Sequence, residues 1–343
     1  MKRITSLLLF GCILIWTLLL TTCNEELFNI YYDNFRCEMD STSEYIIVLG
    51  DIQEYTQKKD LCKDFFIPSL NWVRSMSKHG YMINSVLQTG DLTNNNQKYQ
   101  YSHFKKSVDP LADELLYVSI TGNHDYDWDE NQYIQNRRSS KVSKYAIFSS
   151  LKQCIEAQYE RDIIDNMVVK HYIHGKRYDI LCLEFAPRPE VVEWANLYVS
   201  SHRSHNFILL THEMLDGNEN MIPDEESHAR RQFESKSLSS TPQYVWNHLI
   251  RNNDNIRCVL CGHKGFSQHY DDLLNDMGRK VPQILFNLQD VSNGGNGLVE
   301  VWEIPQECDS VHVKIYDTLY NRVFSDPTNR TNNAKHTQFS FVL

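Results

Sequence analysis

The chain has 343 residues, 41% of them hydrophobic and 23% charged, with a formal net charge of −10. That is the composition of a globular protein with a sizeable core, and it excludes a disordered, collagenous or low-complexity chain. An acidic balance without a basic patch excludes a general nucleic-acid-binding surface, although bound cations could still reverse the local field for an anionic substrate.

The N-terminus reads as an export signal. Lys2 and Arg3 precede the apolar run Leu7–Leu20, and Thr21-Thr22-Cys23 follows. A basic head, a short apolar stretch and small residues describe a signal peptide over 1–22 rather than a permanent membrane span. Leu20-Thr21-Thr22-Cys23 is also similar to a loose bacterial lipobox, which would make Cys23 a lipid-modified N-terminus. Residues 23–43 then form a polar tether, and 44–343 the folded domain. Membrane contact is expected only through that anchor.

Within the domain, short β-rich runs alternate with helical periodicity. Strands are predicted at Tyr45–Leu49, Ser85–Gln88, Leu115–Ile120, Tyr178–Phe185, Phe207–Leu210, Cys258–Leu260, Gln283–Phe286, Leu298–Trp302 and Val311–Tyr316. Helices are predicted at Leu61–Ser77, Gln97–Ala112, Pro189–Ser201 and Pro242–Asn252. Such alternation predicts an α/β protein. The strands after residue 280 lack intervening helices and predict an antiparallel finish. The turn-rich, aromatic stretch 122–176 predicts an insertion at a site rim.

Of nine cysteines, Cys12 and Cys23 belong to the leader, leaving an odd number without framework spacing. Cys258-x-x-Cys261 lacks a second pair to complete a tetrahedral zinc site. Positions three apart on a strand face opposite ways, so both are expected in the core.

The chemistry sits where apolar strands end. Ile46-Ile47-Val48-Leu49 leads into Gly50-Asp51-Ile52-Gln53, and Val86-Leu87-Gln88-Thr89 into Gly90-Asp91. Val118-Ser119-Ile120-Thr121 leads into Gly122-Asn123-His124-Asp125. Thr211 leads into His212, and Cys261 into Gly262-His263. Carboxyl ends of strands in open α/β sheets converge on one crevice, and a preceding glycine lets the backbone turn sharply there. A single Gly-Asp after a strand is ordinary turn chemistry. Five such pieces in one order point to a shared site.

This order of motifs, GD-x-Q, GD-x-x-x-N, GNHD, TH and GH, resembles the calcineurin-like metallophosphoesterases over about residues 44–343. Leu183-Glu184-Phe185-Ala186-Pro187-Arg188 and Gly294-Gly295-Asn296-Gly297 are similar to a secreted bacterial subgroup with Gln in the first motif. The resemblance implies a four-layer α/β/β/α sandwich, two divalent ions (Mn, Fe or Zn) and hydrolysis of a phosphate mono- or diester, its substrate a phosphorylated small molecule or other phosphoester. It implies that Asp91 bridges both ions, that Asn123, His212 and His263 complete one site, and that Asp51 and Gln53 belong to the other. His124 would protonate the leaving alkoxide, with Asp125 orienting its imidazole, while hydroxide made at the metals attacks.

Two positions depart from the family pattern. Gln53 stands where the first motif commonly has His, and Gly265 where the last motif commonly has a second His. Both changes fall on the same ion, so that ion is expected to be weakly bound, with His269 a distant substitute. Asn95 is a candidate for substrate contact or ordinary turn chemistry, and Arg188 for phosphate binding or a structural salt bridge. A non-catalytic metal- or ligand-binding lipoprotein on the same fold is the competing expectation.

Overall fold

A computed structural model describes residues 39–128, 135–218, 220–229, 233, 239–265, 267–270, 273–306, 309–324 and 337–343. The expected signal peptide, Cys23 and most of the tether lie outside the described residues. Among the described residues no helix is long and apolar enough to cross a membrane.

In chain order the strands are β1 (Glu44–Leu49), β2 (Met82–Gln88), β3 (Tyr117–Ser119), the short pair β4 (Asp127–Trp128) and β5 (Gln135–Asn136), β6 (Ile155–Gln158), β7 (Met167–Val169), β8 (Tyr172–Ile173) and β9 (Lys176–Cys182). They continue with β10 (Asn206–Leu210), β11 (Ile256–Cys261), β12 (Ser267–Tyr270), β13 (Gln283–Phe286), β14 (Leu298–Ile304), β15 (Ser310–Asp317), β16 (Arg322–Val323) and β17 (Gln338–Val342). One sheet runs β16-β15-β14-β1-β2-β3, with β17 on β15. The other runs β12-β13-β11-β10-β9-β7-β6, with β8 on β9.

Each sheet has a parallel run bordered by antiparallel strands, on one side in the first sheet and on both sides in the second. β1, β2 and β3 are parallel, as are β9, β10, β11 and β13. The expected antiparallel finish holds for β14 and β15 but not for β13, which joins the other sheet parallel to β11. The stretch 122–176 likewise divides. β4 and β5 stand apart at the rim, whereas β6 and β7 extend the second sheet, because Met167-Val168-Val169 is apolar enough to be fully buried against β9.

Alternation along the second sheet builds two cores. Ile180, Cys182, Ile208, Leu210, Cys258 and Leu260 face the first sheet, in one cluster with Ile46, Val48, Val86 and the helix residues Leu70, Val73 and Met76. Leu181, Leu183, Phe207, Leu209, Val259 and Cys261 face outward under the helix Pro189–Ser201, whose Val191, Val192, Ala195 and Val199 are buried. Cys258 and Cys261 are therefore in different cores, as two strand positions three apart must be. Helices Ile67–Lys78 and Lys98–Ala112 cover the first sheet's other face, completing helix, sheet, sheet and helix layers.

Candidate metal centre

The parallel registers set the site. Leu49 pairs with Gln88 and Gln88 with Ser119, so β1, β2 and β3 end level, and Asp51, Asp91 and Asn123 emerge side by side. Leu210 pairs with Leu260 in the facing sheet, which releases His212 and His263 at the same edge.

Donor atoms of Asp51, Asp91 and His212 all lie within 4.8 Å of one another. His212 Nδ1 donates to the Thr89 carbonyl at 2.7 Å, leaving Nε2 3.5 Å from Asp91 Oδ1 and 3.1 Å from Asn123 Oδ1. His263 Nδ1 lies 2.9 Å from the same Asn123 oxygen. Asp51 accepts from the Asn287 amide at 2.6 Å and from the His263 backbone N–H at 3.3 Å. Gln53 Nε2 donates to Asp91 Oδ2 at 3.3 Å and to Gln289 Oε1.

Such closeness requires glycine at Gly122, where a Cβ would fall 2.1 Å from Asp91 Oδ1 and 2.3 Å from its backbone nitrogen. Asp91 and His263 themselves adopt left-handed backbone, at φ 52° and 72°. Side-chain-bearing residues hold that conformation at a cost and cluster at functional sites.

Electrostatics favour a cation here. Burial pushes Asp51 well above the usual carboxylate range, and the Asp91 charge adds to it. Burial also pushes Asp91 upward, but His212 and His124 outweigh it and leave it lowered. Burial opposes a charge on His212, yet Asp91 and Asp51 raise its pKa to about 10. Burial, with His212 nearby, pushes His263 well below the usual imidazole value. Buried carboxylates, an amide oxygen and imidazole nitrogens suit borderline divalent ions. The side-chain oxygen of Gln53 is buried without a hydrogen-bond partner, as an oxygen donor for a cation should be. The residues present therefore fit a divalent ion.

The other expected residues are placed as follows. His124 Nδ1 donates to the carbonyl of Asn94 at 2.7 Å, and its backbone N–H to Asp91 Oδ1 at 2.8 Å. Asp125 does not orient that imidazole. Its carboxylate instead accepts from the backbone N–H groups of Leu92, Thr93 and Gly122 and from the hydroxyls of Thr93 and Tyr101. The carbonyl is the nearer partner because Asp125, fully buried, turns toward the 90–93 turn. Burial and the Asp91 charge raise the Asp125 pKa to about 7.

Asn95 is exposed, its backbone N–H donating to Gln100 Oε1 at 3.3 Å. Arg188 forms the salt-bridge alternative. Its guanidinium pairs with Glu184 at 2.9 Å and Glu160 at 3.3 Å and lies over the Tyr159 ring. Gly265 sits under Asp290, whose Oδ2 is 2.1 Å from where a Cβ would be. The backbone of His269 is in β12, and its side chain lies outside the described structure.

Sequence reasoning missed Asn94, Asn287 and Gln289. Asn287 follows β13 as the other site residues follow their strands, so the same rule would have found it. Asn94 acts through its backbone carbonyl, which has no signature in a sequence.

Residues 45–265 match the family model for calcineurin-like phosphoesterases. Among curated proteins, the chain is 23% identical over 278 residues to the uncharacterized protein YvnB of Bacillus subtilis (strain 168). That match covers 78% of this chain and 19% of YvnB, so the chain spans about a fifth of its relative's length. Among solved structures, a purple acid phosphatase, PPD1 from yellow lupin seeds, is similar with a TM-score of 0.52 and 12% identity, over 88% of this chain and 54% of that one. A dimetal phosphatase from Danio rerio gives a TM-score of 0.48 at 10% identity, over 79% of this chain and 95% of that one.

Proposed function

The chain belongs to the calcineurin-like phosphoesterase family, and on that premise we propose that it hydrolyses a phosphate mono- or diester at a two-metal centre. Asp91 would be shared between the ions, with Asn123, His212 and His263 holding one and Asp51 and Gln53 the other. When bound, such ions clamp a phosphate and lower the pKa of a water so that it can attack at neutral pH.

The chain's own residues supply the rest. Thr89 accepts from His212 Nδ1, which leaves Nε2 toward the cluster as the nitrogen that would hold an ion. Asn94 does the same for His124, so its proton traffic passes through Nε2, which makes no hydrogen bond to protein among the described residues. A protonated Nε2 would deliver its proton to the departing alkoxide. The observation that carries this reading is the convergence of buried donors from both sheets beside an imidazole with one nitrogen pinned.

The reading is tested on one purified sample by metal analysis and a phosphate-release screen over mono- and diesters. Release that depends on added Mn, Fe or Zn supports it. Metal retained with no turnover on any ester would favour a non-catalytic binding protein. We further propose export through the leader, with attachment by Cys23.

A further inference from the structure

The side of His263 away from the metal cluster is built as deliberately as the side facing it. Nδ1 looks to Asn123, while Nε2 is buried, makes no hydrogen bond, and lies 3.7 Å from Glu213 Oε1. The His263 side chain is 6% exposed and that of Glu213 2%. Glu213 is itself immobilised. Ser227 Oγ donates to its Oε2 at 2.8 Å, the His228 N–H to Oε1 at 2.8 Å, and the Ala229 N–H to Oε2 at 3.3 Å. The His228 ring meets His263 edge-on, 4.5 Å between centroids. A carboxylate carried on the residue after His212 thus faces the back of the other imidazole, gripped by a loop that begins beyond it.

We propose that Glu213 is a positioning residue for the metal centre, accepting the Nε2 proton of His263 so that Nδ1 keeps its lone pair toward the ion. A neutral imidazole carries one proton, and a carboxylate behind Nε2 decides which nitrogen holds it. The same contact orients the ring and makes the bound nitrogen more basic. The loop 227–229 then becomes part of the device, because it aims the carboxylate. This inference rests on the two-metal reading above.

The test uses the full chain with Glu213→Gln, which keeps the shape and an oxygen but removes the charge, and Ser227→Ala, which loosens the carboxylate while leaving it charged. Affinity for Mn is measured by chelator competition, and the visible absorption of the cobalt-loaded protein is recorded. Thermal unfolding of the metal-free proteins reports folding. Glu213→Gln should bind the tight ion about 10–100-fold more weakly, the usual effect of losing such a partner, with a changed cobalt spectrum and a near-normal metal-free unfolding curve. Ser227→Ala should fall between it and wild type. Unchanged affinity and spectrum in Glu213→Gln, with wild type binding tightly, would overturn this role alone. A wild-type chain that holds no metal would overturn the two-metal reading with it. An extra equivalent of metal lost in Glu213→Gln and His228→Ala alike would replace the role with an ion held by Glu213, His228 and His263 themselves.

Discussion

The imidazole of His124 hangs from the carbonyl of Asn94, 2.7 Å away, and that bond links the GNHD turn after β3 to the turn after β2. A backbone carbonyl accepts only, so Nδ1 is the donor of this bond and the proposed proton transfer falls to Nε2. His124→Ala should leave metal content near wild type and cut turnover of poorly activated esters by roughly 10²–10⁴-fold. Nitrophenyl esters, whose leaving groups need no proton, should lose far less. Equal losses on both substrates would remove His124 from the acid role.

The proposed weaker ion lies on the Asp51–Gln53 side, where the family resemblance implies that Gln53 and Gly265 stand in place of two imidazoles. Gln53→Ala should mainly raise the Mn concentration needed for activity. Installing Gln53→His with Gly265→His should help only in part unaided, because the Asp290 carboxylate, its Oδ2 2.1 Å from the new Cβ, must first swing aside. Adding Asp290→Ala should allow the full gain. Metal titrations of the double and triple variants decide this, and a double variant that already binds two ions tightly would contradict it.

Arg188 is committed to Glu184 and Glu160. Arg188→Ala should therefore lower stability by about 1–3 kcal/mol, the cost of leaving a buried partner short of a hydrogen bond, while KM changes little. Denaturant melts and steady-state kinetics on one preparation separate the outcomes. A raised KM with unchanged stability would restore Arg188 to the substrate.

Glu300 on β14 gives a pH signature independent of the metals. It is fully buried, accepts from Trp302 Nε1 at 2.6 Å, and burial raises its pKa to about 8. The unfolded value is about 4.3, so the folded chain holds this proton more tightly. Its effect on stability is most favourable below about pH 4.3 and declines as pH rises toward 8, by at most about 1.4 kcal/mol per pH unit. Glu300→Gln should flatten that decline. Urea melts from pH 5 to 8.5 check it, and an identical slope in the variant would count against it.

Export can be checked separately. Labelled fatty acid should enter the wild type and not Cys23→Ala, since Cys23 offers the only acceptor in the lipobox-like stretch. Equal labelling of both would end the proposal.

What could be read from the sequence followed from one rule, that polar residues just past an apolar strand share a crevice. It located Asp51, Asp91, Asn123, His212 and His263, because the apolar runs before them are unmistakable and parallel strands in register deliver their ends together. The resemblance, not that rule, set Asp125 behind His124; the structure turns its carboxylate to the 90–93 turn, because a motif does not fix which way a buried carboxylate points. The partner of β13 was equally hidden, since the short run Ile284-Leu285-Phe286 fits a parallel or an antiparallel slot. Asp290 over Gly265 is a contact between distant segments that a glycine in a motif does not announce.

Among the described residues the two sheets share side-chain packing but no strand ladder, and the donors divide between them: Asp51, Asp91 and Asn123 follow strands of one, His212 and His263 strands of the other. Neither half alone can assemble the set. A cation captured there is a clasp across the sandwich, so its release should be the step that frees the halves to part. Chelated protein should be nicked by protease faster than metal-replete protein, with cuts reaching segments that the inter-sheet core otherwise shields.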